Sequence, residues 1–208
     1  MTEERKAVWK EHAIIAIAVI AVLAGYSTIK GSEYSGKASS ELSLSQQWLT
    51  DYESAANYAA LWATWATYYD SLSQNYDRLG DKTSSAFYQG LYLQTLSQYE
   101  TESQRAVENY EKYTSTYAQS NRDSAIADSF TLPTMMLSVS AVVCASSDVT
   151  DERWMYVLGL VIAAIGGGLL VWNIVLIGAI DGCVLIPLLA AVLGYAWWRI
   201  KGRATKQT

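Results

Sequence analysis

The sequence predicts an all-α, polytopic membrane protein: four transmembrane helices, with a long antiparallel, coiled-coil-like helical hairpin between the first two. Three observations carry this expectation. Uncharged apolar runs near the length a bilayer requires have charge confined to their edges. The 31–129 region holds 13 of the chain's 20 acidic side chains but only 6 of its 15 basic ones, so charge is partitioned rather than spread. Pro133 and Pro187 are the only prolines in 208 residues, which favours helices with few breaks.

The first span is expected over 13–29, after a 1–12 tail. It is uncharged, with Trp9 just before it and Tyr26 near its end, interfacial positions for amphipathic rings. A cleaved signal peptide is the rival reading, but Ala21-Val22-Leu23-Ala24 lacks the small-x-small site a signal peptidase prefers. A second span over 130–147 is diluted by serine and threonine, whose hydroxyls can bond neighbouring helices or their own backbone.

The third span, 154–180, has Asn173 as its only strongly polar member. Gly159, Ala163 and Gly167 recur every four residues, as do Ala164 and Gly168, a small-residue stripe that admits another helix closely. Such a stripe serves packing within the chain or between chains. A turn at Gly178–Gly182 contains Asp181 and leads into a short fourth span, 183–198. It ends on Trp197-Trp198-Arg199 and a basic tail, 199–208. Basic residues flank both ends of the chain, so the positive-inside rule places both termini in the cytoplasm and the acidic region outside.

Between the first two spans, periodicity sets the expectation. Trp48, Tyr52, Ala55, Ala59, Trp62, Ala66, Tyr69, Ser73 and Tyr76 follow 3–4 spacing. After Gly80-Asp81-Lys82-Thr83 a second stripe follows: Tyr92, Leu96, Tyr99, Ser103, Ala106, Tyr110, Tyr113 and Tyr117. Arms at about 33–79 and 83–126, joined by a glycine-containing turn, make a two-helix hairpin extending roughly 60 Å at 1.5 Å per residue. Tyrosine hydroxyls need partners or water, so the seam is wetter than an aliphatic one. Tyr58, Leu61, Trp65, Tyr68 and Leu72 lie off the first stripe and widen the face to be covered. Self-association into a larger bundle is therefore expected; the alternative is that these side chains cover the partner arm or remain exposed.

Several chemistries are not expected. The acidic balance disfavours nucleic acid. His12 is the lone histidine and sits beside Glu11, so a metal site or catalytic dyad is not expected. Asp70, Asp77 and Asp81 lack calcium-loop spacing. Cys144 and Cys183 fall in apolar runs as small hydrophobes. No nucleophile elbow, P-loop or dinucleotide fingerprint occurs. The expected function is that of an oligomeric membrane protein without catalysis or cofactor, whose external bundle is a scaffold or interaction surface. A channel or transporter, with Asn173 and Asp181 as polar lining, is the alternative, and a ligand-sensing bundle the third.

The chain also resembles the bacterial and archaeal membrane proteins grouped as domain of unknown function 4337. The resemblance lies in Lys30-Gly31-Ser32, Tyr34-Ser35 and Lys37-Ala38 after the first span and in Gln47-Trp48. It continues in Trp154-Met155-Tyr156 with Leu158-Gly159-Leu160, and it touches most of residues 13–178. It implies a first span, a helical polar insert and closely spaced later spans, but no activity. The fourth span departs from the family's usual three.

Overall fold

In the computed structural model, residues 3–150 and 152–177 are described, with side chains from residue 12 onward except residue 148. The chain is all-α. The helices are α1 (Glu3–Arg78), α2 (Lys82–Ser129), α3 (Thr131–Thr150) and α4 (Arg153–Ile177), with no strand among the described residues. The expected fourth span, Asp181, Cys183 and the basic tail lie outside these residues.

The α1 helix crosses the expected 29/30 boundary without a break. Nothing between Ala13 and Arg78 forces one, since Gly25, Gly31 and Gly36 each cost only about 1 kcal/mol relative to alanine. Among the described residues, three stretches are long and apolar enough to cross a membrane, within His12–Arg78, Lys82–Ser147 (which takes in α2 and most of α3) and Arg153–Ile177.

Two compact units share these helices. One comprises residues 1–36 and 123–208, the other 37–122. The first has an apolar core of Ile20, Phe130, Leu137, Cys144, Leu170 and Ile174, with Tyr34 stacked on Phe130.

The second unit packs α1 against α2. Ser73 Oγ contacts Ser85 O, the Tyr69 and Tyr76 rings both stack on Tyr88, Tyr52 meets Tyr110, Lys112 lies over Trp48, and Ser120 Oγ donates to Ala38 O. From Ala38 to Ser73, the partner numbers on α2 fall as those on α1 rise.

The turn between the helices follows from Gly80. Its N–H donates to Asp77 O at 3.1 Å, and Asp81 N donates to Tyr76 O at 3.0 Å. This is the paired closure that needs a left-handed residue after the helix, and Gly80 has φ 78°. Asp81 then caps α2, accepting from Ser84 N at 3.0 Å and Ser84 Oγ at 2.6 Å. Those two bonds hold its carboxyl below the usual aspartate range. Gly80→Ala has space for its methyl, so its cost is conformational. Thermal unfolding of the full chain should show a loss of about 1–2 kcal/mol, and no loss would mean the turn rearranges freely.

Candidate functional site

In the first unit, the distinctive feature is the junction at Phe130. Pro133 has no N–H, so it cannot donate to the carbonyl of Ser129, four residues back, and its ring crowds that group. A freed carbonyl in apolar surroundings needs another donor. Asn173 on α4 supplies one, its Nδ2 lying 2.6 Å from Ser129 O. The next carbonyl, Phe130 O, accepts from Thr134 N at 3.1 Å and from Ser27 Oγ at 3.2 Å. The Thr134 hydroxyl lies 2.7 Å from both Phe130 O and Ser27 Oγ, with one proton for the two. Donation from Thr134 to Ser27, and from Ser27 to Phe130 O, uses both hydroxyl protons. Beside this cluster an open groove of about 400 Å³ is lined by the hydroxyl residues Ser32, Ser35 and Thr131, by Asp128, and by apolar Ala127, Phe130 and Met135.

On α4, Gly159, Gly166, Leu170 and Ile174 are buried and Ala163 packs on the core, with Gly159 and Gly166 set against α3. Ser140 Oγ donates to Gly159 O at 2.7 Å. A methyl at Gly159 would strike Cys144 Sγ and sit 3.2 Å from Cys144 N and 3.3 Å from Ser140 O. At Gly166 it would lie 3.0 Å from Met136 Cβ, whereas at Gly167 and Gly168 it would meet nothing within 4 Å among the described residues. The stripe in contact thus alternates four- and three-residue steps from Gly159 through Gly166. A strict four-residue spacing advances roughly 40° beyond a full turn at each step, which carries Gly167 off the contact line.

In the second unit, the contact line between α1 and α2 is made of small and polar side chains. Ala38, Ser45, Ala55, Ala59, Ala66 and Ser73 are buried on α1, and Thr95, Ala106, Asn109 and Ser120 on α2. Small residues let two backbones approach, and the larger rings flank them. On α1, Trp48, Tyr52, Trp62, Tyr69 and Tyr76 are half-buried. On α2, Tyr92, Leu96 and Tyr113 are half-buried, while Tyr99, Tyr110 and Tyr117 are exposed. The α2 contact line runs through Thr95, Glu102, Asn109 and Thr116, turned by roughly half a residue step from the tyrosine stripe. Spacing alone could not choose between the two, because Thr95 and Asn109 do not register as apolar. The off-stripe side chains Tyr58, Leu61, Trp65 and Tyr68 of α1 are exposed.

Among the described residues no group of three or more histidine, cysteine, aspartate or glutamate side chains could hold a metal ion. Asp77 is paired with Lys82, and Asp70 accepts from Gln74 Nε2 at 2.8 Å.

No curated protein and no solved structure matches the chain. A family model described as a domain of unknown function (DUF4337) matches residues 9–176. That match covers the whole second unit and residues 9–36 and 123–176 of the first, including the Pro133–Asn173 junction, and the chain belongs to the DUF4337 family.

Proposed function

We propose that the chain is a multi-pass membrane protein that works as a homo-oligomer. In this reading the 30–129 segment is an antiparallel helical hairpin held outside the membrane as a scaffold or interaction surface, both termini are cytoplasmic, and no reaction is catalysed. One observation supports it above the others. The contact line between α1 and α2 is small and polar, while large apolar side chains of the same unit, Tyr58, Leu61, Trp65 and Tyr68, remain exposed. A two-helix unit built this way buries little apolar area within itself, and large exposed apolar patches mark interaction surfaces.

The charge asymmetry of the termini supports the orientation. The channel reading rests on Asn173 and Asp181. Asn173 favours it less than its position suggests, because its amide already donates to Ser129 O within the chain. Mass measurement of the full chain in mild detergent tests the proposal. A discrete multimer is the expected result, and a monomer at all protein concentrations overturns it. In reconstituted vesicles no solute or ion flux is expected; flux abolished by Asn173→Leu would favour a pore.

A further inference from the structure

We infer that Tyr58, Leu61, Trp65, Tyr68 and Leu72 of α1 form a seam with the same residues of a second copy, parallel and in register. This rests on the oligomeric reading and names its surface. The five positions follow 3-4-3-4 spacing, the pattern by which one helix packs along another. They are centred roughly 100° around α1 from the stripe that contacts α2, so one helix carries two adjacent seams. The α2-facing seam is occupied. The other leaves Tyr58 54%, Leu61 48%, Trp65 43% and Tyr68 52% exposed.

Charge identifies the occupant. Copies inserted in one bilayer with one topology carry α1 in the same chain direction, so homotypic pairing is parallel and sets each residue against its own counterpart. A charge in the stripe would then face a like charge. The five positions carry none, no residue from Ser54 to Tyr69 is charged, and Asp70, between Tyr68 and Leu72, falls on the opposite side of α1. The α2 helix is a poorer partner: its exposed Tyr99, Tyr110 and Tyr117 share a stripe, but Glu100, Glu108 and Glu111 stand beside them, whereas no charge stands beside Tyr58, Leu61, Trp65 or Tyr68 except Asp70 on the opposite side of α1.

At about 150–250 Å² per aromatic side chain, four half-exposed residues offer about 400 Å² per chain. That is roughly half the 800 Å² per partner of a standard interface. Confinement of both copies in one membrane raises their effective concentration and lowers the area needed. The Trp65 Nε1 and the Tyr58 and Tyr68 hydroxyls reach water at the rim of such a seam.

Disulfide trapping tests this in the full chain in membranes, with Cys144 and Cys183 replaced by alanine and the parent's mass retained. Leu61→Cys should crosslink into a dimer on oxidation. Thr67→Cys, exposed on the far side of α1, should not. Trp65→Glu should lower the mass in detergent while leaving helix content by circular dichroism unchanged. If the chain is a multimer but Leu61→Cys fails to crosslink, or Thr67→Cys crosslinks equally, this seam is wrong while the oligomeric reading stands. If the parent chain is monomeric, both fall.

Discussion

Replacing Asn173 with leucine is expected to destabilise the first unit by about 1–2 kcal/mol, and to do so only while Pro133 is present. The substitution keeps the volume near constant but removes the donor that lies 2.6 Å from Ser129 O. An unsatisfied buried carbonyl costs about 1–3 kcal/mol. Interhelical hydrogen bonds within membranes are worth less on average, near 0.6 and at most about 1.7 kcal/mol, because the unfolded chain also finds partners there. The lower part of the first range is therefore the appropriate scale. Pro133→Ala restores an N–H at the position from which a helix would supply Ser129 O. In that background the carbonyl has a second donor, and Asn173→Leu should cost little. A double-mutant cycle on unfolding in detergent should return a coupling of about 1 kcal/mol. Equal losses in both backgrounds would show that Asn173 acts through packing alone, and the link between proline and amide would be lost.

That junction also shows what could be read from the sequence and what could not. The apolar run beginning at Phe130 was legible, because eighteen residues without charge are long enough to span. Its partner was not. Nothing in the local sequence connects Asn173 to Ser129, 44 residues earlier, so the asparagine was readable only as an isolated polar group in a span. The helical character of 31–129 was similarly plain from its 3–4 spacing, and Gly80 marked the turn. The contact line on α2 was harder to place. Tyrosines are conspicuous in a periodicity count, but backbone approach favours Thr95, Ala106 and Asn109, and the rings settle beside them. The end of an apolar run does not mark the end of a helix. Hydropathy changes near Ile29, whereas α1 continues to Arg78, because polar residues propagate a helix as readily as apolar ones when no proline intervenes.

Gly159→Ala should be among the most damaging single-methyl changes in the chain, and Gly167→Ala among the least. Both are glycines within α4, on the stripe read from four-residue spacing, and propensity alone makes either alanine favourable by about 1 kcal/mol. Space separates them. At Gly159 the added methyl meets Cys144 Sγ, and the backbone of α3 lies behind it, with Cys144 N at 3.2 Å and Ser140 O at 3.3 Å. The sulfur can rotate away, but the backbone atoms move only if α3 and α4 separate. Separation would also stretch the 2.7 Å bond from Ser140 Oγ to Gly159 O. Overpacking of this kind costs about 1–3 kcal/mol, and the lost bond adds about 1 kcal/mol, so the net effect is destabilising. At Gly167 the methyl meets nothing within 4 Å among the described residues, and the propensity gain stands alone. Unfolding in detergent should therefore rank Gly159→Ala below the parent chain and Gly167→Ala at or above it. A Gly167→Ala loss as large as that of Gly159→Ala would have a specific meaning. It would place a second helix, from this chain or another copy, against the open face of α4.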